Sequence, residues 1–398
     1  MAPLNIRLTD MRQQIADKYN LGFDLGFLDD RLTMSFEVYR EDVKDILLEN
    51  YRVPSNSGYA TIPYRNSGKL RNTGWEFHVN TNRLIKKGKF TMDMNVNFNN
   101  NRNEILEMDE FLLNNYNSTF GYNNDEWLRR VQLRNPLGAI YGFKYKGVYQ
   151  YNYSTFANMS ADEREEFLAS GKTAPIAIDQ NGQVMMDTKG NPIRQVYNFV
   201  DGSSTYQFQG GDAIYEDVNH DGQINSLDIV YLGNSNPHLN GGFGFNLQYG
   251  EWSLKSSFSY RQGIKIVNSA KMGLEEMYNA YNQSSAVNWR WRKNGDVTIM
   301  PRAMFDTGYN FLGSDRYVED ASFVRMSYIQ LVYSFNQKML KQIGLRRLQL
   351  SLSGQNLLCW SKYSGTDPEH SPGSWGIAYD NSQTPRSKSV TMNLMVGF

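Results

Sequence analysis

The chain has 398 residues, and its 41 Lys plus Arg balance its 41 Asp plus Glu, so it carries neither the basic footprint of a nucleic-acid binder nor an acidic tail. Its mean hydropathy of −0.58 and the lack of any apolar run approaching about 18 residues exclude a helical membrane protein. The one cysteine, Cys359, excludes an internal disulfide and is expected to pack as a small apolar residue. With no composition break or Pro-rich linker, residues 1–398 read as one architecture with long insertions.

In chain order, segments near 18–28, 31–43, 71–83, 89–102, 239–249, 251–263, 322–335, 346–360 and 388–398 read as nine antiparallel strands, each near the roughly ten residues of a tilted membrane strand. The alternation is strictest at 92–99, where Asp93, Asn95 and Asn97 face opposite to four apolar residues. It is nearly as strict in the last segment. There Val390, Met392, Leu394, Val396 and Phe398 share one face and Thr391, Asn393 and Gly397 the other, with only Met395 off pattern. Taken alone, that segment also suits an edge strand of a soluble sandwich. Repeated across the chain, the pattern puts one face to lipid and the other to a wet lumen, so the expected fold is all-β, an antiparallel transmembrane β-barrel with long extracellular loops. The 26 Tyr, 21 Phe and 7 Trp, many at strand ends, suit aromatic girdles at the lipid boundary.

Short connections at 28–30, 84–88, 250 and 336–345 alternate with long ones at 44–70, 103–238, 264–321 and 361–387, as periplasmic turns alternate with outer loops. An odd count of antiparallel strands cannot close on itself. Residues 1–7 show no basic start, apolar h-region or cleavage site. Both observations make the chain read as the C-terminal piece of a longer exported protein whose other strands complete the wall. Within the loops, 139–149 reads as a strand of an external hairpin paired with 213–216. Ser160 and Glu163 form a capping box for a helix ending before Gly171, and 268–282 reads as a second external helix.

The candidate sites lie in these loops. Residues 217–228 place Asp217, Asn219, Asp221, Gln223 and Asp228 at the oxygen-donor positions of a calcium loop, with Gly222 at its sharp turn. Asp228 stands where a longer, bidentate Glu is usual, and a metal-free Asx turn is the alternative. Trp289, Arg290 and Trp291 alternate aromatic and cationic groups able to stack on sugar rings or hold acidic ligands, with loop packing or contact with a protein cap as the alternatives. Trp360 and Tyr363 are further ligand candidates at the outer end of a strand, where a girdle role competes. His78, His220, His238 and His370 have no metal spacing, and no nucleophile–base grouping suggests an enzyme.

Several blocks resemble the SusC/RagA-type TonB-dependent transporters of the Bacteroidota outer membrane. They are residues 211–224 with 233–237 and 241–243, residues 135–138 with Tyr141 and Gly142, residues 291–296 with Pro301 and Arg302, residues 316–325, and residues 355–357 with 363–369, in the family's order across almost the whole chain. The resemblance implies the C-terminal part of a barrel of about 22 strands. Its plug domain, TonB box and N-terminal strands have no counterpart here. It further implies import of oligosaccharides or peptides across the outer membrane, force relayed by the TonB complex through the missing N-terminal part, and a SusD-like surface lipoprotein as cap, with loops 103–238 and 264–321 meeting substrate and cap. A passive porin or small autonomous barrel is the first rival reading. A secreted, calcium-stabilised binding module is the second.

Overall fold

The computed structural model describes residues 11–52, 61–110, 113, 127, 132–198, 205–305, 309–372 and 376–398. Nine long strands form one antiparallel wall in sequence order: β1 (Ile15–Phe27), β2 (Leu32–Lys44), β3 (Lys69–Thr81), β4 (Phe90–Glu107), β5 (Leu239–Tyr249), β6 (Trp252–Gln262), β7 (Phe323–Ser334), β8 (Arg347–Ser361) and β9 (Ser389–Gly397). Each expected strand is present. A short strand, Ile85–Lys87, adds to β4 at the turn, and β1 and β9 are the edges of the sheet.

Register separates the two faces. Leu25, Met34, Val79, Val96, Phe243, Phe258, Met326 and Leu358 are successive cross-strand partners from β1 to β8. One residue along, the partners are Asp24, Ser35, His78, Asn97, Gly242, Ser259, Arg325 and Cys359. Because side chains alternate along a strand, these rows are the apolar and polar faces of one wall. Cys359 is therefore exposed on the polar face, not packed as a small apolar residue.

The apolar face carries aromatics near both ends. Phe90, Tyr249, Trp252 and Tyr333 pair in one row beside the tight turns, while Tyr260 and Trp360 flank Val324 near the long connections. The interval from Trp252 to Tyr260 is about 27 Å along the strand. At a tilt of about 40° it spans about 20 Å, close to an apolar band of about 25 Å.

Two expected boundaries move. Strand β4 runs five residues past the expected end, to Glu107, pairing Asn103, Glu104, Ile105 and Glu107 with β3; beyond lipid a strand needs no apolar alternation, so these residues look like loop in sequence. The helix expected over 268–282 is only Ser269–Glu275 (α3), because Glu276 caps it and Met277 turns left-handed at φ 53°. The connection 336–345 holds a helix, Gln337–Gln342 (α4), capped by Asn336, and a hairpin pairs Leu47–Arg52 with Thr61–Asn66.

The buried core lies in the long connections, above the wall. Tyr145–Val148 pairs with Ala213–Tyr215 as expected, and Ala139–Gly142 pairs with Val230–Asn234. Phe143, Phe208, Ile224 and Leu312 close the largest cluster, and Ile140, Val267 and Tyr317 a second. A short helix, Tyr153–Ala157 (α1), precedes the formed Ser160 capping box, whose helix Ala161–Ala169 (α2) buries Phe167 against Phe156 of α1 and Ile176.

Candidate functional site

The Asp-rich loop leaves the strand Ala213–Tyr215 and folds on its own amides. Asp217 accepts from the amides of Gly222 (2.8 Å) and Asp221 (3.2 Å), Asp221 from Gln223 (2.8 Å), and Asn219 from Asp221 (3.3 Å). Asp228, fully buried, accepts from Val218 and Asn225, both at 2.8 Å. Gly222 sits at φ +82°, where a Cβ would come within 2.9 Å of the Ala177 methyl. Ile224 then anchors the loop in the main core, while Gln223 pairs with Val196. Burial raises the carboxyl of Asp228 to about 6 and that of Asp217 above its usual range; the two amides pull Asp228 down, and Asp217 and Asp221 push it up. The donors are all oxygen, the set a hard cation prefers. Among the described residues, however, no three His, Cys, Asp or Glu side chains are gathered closely enough to hold an ion.

The structure parts the five aromatic and cationic ligand candidates. Trp291 donates its indole N–H to the Gln150 carbonyl (3.1 Å), and its ring fills the space over Gly211, where a Cβ would lie 2.3 Å away. It is a packing residue. The Arg290 guanidinium bonds the Val287 carbonyl at 3.2 Å. Trp289 is 79% exposed and lies in a surface segment with Val297, Ile299 and Phe305, each at least 73% exposed. Trp360 is on the apolar face of the wall beside Val324, which fits the girdle role. Tyr363 is buried with Ile264, Ile266 and Ala378, and its hydroxyl donates to Asp380 while His370 packs at 6.0 Å from its ring. Tyr363 is buried in this packing, and half-buried Trp291 has one side of its ring against Gly211.

Sequence reasoning missed the charged fasteners between distant segments. Asp212, fully buried, takes the Arg302 Nε–H at 2.6 Å, the Tyr206 hydroxyl at 2.6 Å and the Gln209 amide at 2.7 Å. Arg316 meets Glu275 at 3.2 Å and lies over the Tyr145 ring. On the polar face of β7, Arg325 meets Asp367 at 2.5 Å and Glu369 at 3.5 Å, and Glu369 also meets Arg386 at 2.8 Å. The first two contacts tie loop segments to one another, and the Arg325 cluster fastens the connection 361–387 to the polar face of the wall. Between α3 and residues 364–385 lies a cleft of about 650 Å³ whose lining includes Lys271, Leu274, Thr366, Gln383 and Pro385. The only forewarning in the sequence is a charge, Arg325, inside an otherwise apolar strand end.

Residues 4–161 match the family model of the TonB dependent receptor-like β-barrel. TonB-dependent receptor P39 of Formosa agariphila is 28% identical over the whole chain, which covers 37% of that protein. TonB-dependent receptor SusC of Bacteroides thetaiotaomicron is 25% identical over 96% of the chain and 31% of its own length. The chain thus spans about a third of the curated relatives it matches. The solved RagAB peptide transporter overlays 97% of the chain and 35% of its own with a TM-score of 0.64 at 19% identity, which shows the fold. The resemblance to TonB-dependent receptors of SusC/RagA type is borne out, and the wall is an antiparallel outer-membrane-type β-barrel wall.

Proposed function

We propose that this chain is the C-terminal wall and loop layer of a SusC/RagA-type importer that brings oligosaccharides or peptides across a Bacteroidota-type outer membrane. One observation carries the reading: Arg325, on the polar face of the wall, holds Asp367 and Glu369 of the connection 361–387 against it, so that the loop layer is fastened to that face. The RagAB neighbour is a peptide transporter by name, which supports the peptide class; the oligosaccharide class rests on the sequence resemblance alone. The apolar surface of Trp289, Val297 and Ile299 is the proposed seat of a SusD-like lipoprotein. The TonB complex would act through segments outside this chain, and the reaction makes and breaks no bonds.

The test is uptake of labelled oligosaccharides and peptides by cells carrying the full-length protein. One class should accumulate, and a protonophore should stop it. Uptake insensitive to the protonophore would favour a passive porin, and a protein that stays soluble without detergent would favour a secreted module.

For the Asp-rich loop we propose a calcium ion held by Asp217, Asn219, Asp221, the Gln223 carbonyl and Asp228. The loop's oxygen donors support it, and on binding, the ion would compete with the backbone amides that Asp217, Asp221 and Asp228 now accept from. It would stiffen the surface on which the cap sits. Calorimetry with calcium and with chelator decides it: no binding heat at millimolar calcium leaves a metal-free turn.

A further inference from the structure

Near the loop end of the wall, the apolar face holds a cavity of about 730 Å³ lined by Tyr260, Val324 and Trp360 below and by Asp320, Ser322 and Lys362 above. The register explains the trough. Tyr260, Val324 and Trp360 are direct partners across β6, β7 and β8, so a small side chain stands between two aromatics about 10 Å apart. Tyr260 also leans away from the gap. Its hydroxyl donates to the Asn97 carbonyl at 2.9 Å, across Gly241, and its ring packs 6.1 Å from Phe98. Gly241 permits this, since a Cβ there would meet the Tyr260 hydroxyl at 2.7 Å.

The rim above is polar and net positive. Asp320 is occupied by the Ser322 amide at 2.9 Å and hydroxyl at 2.5 Å, and Lys265 and Lys362 both act on it electrostatically. Of the charged residues lining the trough, Arg261 meets Glu369 at 3.7 Å, and Lys362 stands exposed on the same rim as Asp320. The trough is continuous with the lipid-facing wall and lies at its boundary, where an acyl chain would meet the aromatics and a headgroup would meet Lys362.

We infer that the trough over Val324 is a seat for one membrane lipid, its acyl chain between Tyr260 and Trp360 and its phosphate at Lys362. The inference needs only that the wall crosses a membrane, so it stands or falls apart from the transported substrate.

Delipidated full-length protein, titrated in detergent and followed by native mass spectrometry, tests it with phosphatidic acid against diacylglycerol of the same chains. Phosphatidic acid should bind at one site at least tenfold tighter than diacylglycerol. Val324→Trp, which fills the trough, should lose binding of both by tenfold or more. Lys362→Gln should erase the preference and keep the neutral lipid. Val390→Trp, which adds bulk to the outer face elsewhere, should change neither and shows that a tryptophan on this face is tolerated. Equal binding of the two lipids by the unaltered protein, or an unchanged affinity in Val324→Trp, would overturn the assignment.

Discussion

Val390, Met392 and Leu394 in the wall are 66%, 70% and 63% exposed, whereas Phe143, Ile224 and Leu312 in the loop layer are sealed from solvent. Both regions are rich in β-strands, yet they answer to different solvents. The wall turns its apolar rows outward because lipid accepts them, and it depends on complete backbone pairing, since an unpaired amide in hydrocarbon costs several kcal/mol. The loop layer turns apolar groups inward as a water-soluble domain does, and its strands are short, only two to five residues in Ala139–Gly142 and its neighbours. Register specifies the wall; side-chain packing and buried charge specify the layer above it.

The largest effect should come from breaking a fastener in the loop layer. Asp212→Ala leaves Arg302, itself largely enclosed, without its carboxylate, and orphaning one member of a buried ion pair costs about 3–5 kcal/mol. Hydrogen exchange should rise across 206–215 and 302–312 while the wall strands stay protected. If β5 to β8 lose protection equally, the two regions are not separable. The complementary change is Leu394→Arg in the wall, which places a charge on the lipid face for a cost of roughly 2–4 kcal/mol near the midplane. Asn393→Arg, one residue along and paired with Ser351 on the polar face, should cost far less. Urea titration of folding into liposomes, with the full-length barrel, compares them, and equal losses would refute the face assignment.

The same contrast decides what could be read from sequence. Strands β1 to β9 were legible because lipid and lumen impose a period of two on each, within a dozen residues. The last five residues of β4 were not, because Asn103 and Glu104 lie past the apolar band, where that constraint lapses. Pairings such as Arg325 with Asp367, or Asp212 with Arg302 across 90 residues, follow no period at all; the sequence shows the partners only as separate conspicuous blocks. Trp291 and Tyr363 looked like ligand platforms for a related reason. Aromatic residues mark packing and binding alike, and only the positions of Gly211 and Asp380 tell which.

A smaller, pH-dependent effect belongs to the loop layer alone. Asp228 has its carboxyl raised to about 6 by burial, from a usual value of 3.8. A raised acid pKa favours folding fully below the usual value, and that contribution is lost as pH rises through about 6. In chelator, proteolysis within 211–233 should therefore increase between about pH 5 and pH 7. Calcium should suppress the increase if the ion occupies the loop. A cleavage rate flat across this range would mean that Asp228 is not perturbed as described, and no part of the wall should follow the same curve.

The smallest change expected is at the Ser160 cap of α2, where the hydroxyl accepts from the Glu163 amide at 3.4 Å and the Glu163 carboxylate takes the Ser160 amide at 2.7 Å. Ser160→Ala removes half of this box and should cost about 1 kcal/mol. The loss should be confined to 161–169 because α2 is held on its other side by Phe167, packed 5.4 Å from Phe156 and 5.2 Å from Tyr151. The Glu163 carboxyl is held below its usual value by the Ser160 amide first and its hydroxyl second, so its contribution is present at neutral pH and fades as pH falls into the acid range. Hydrogen exchange of α2 at two pH values measures both. In Ser160→Ala the acid-induced rise in exchange should shrink, because part of the contact that titrates is already gone; an undiminished rise would place the titrating group elsewhere.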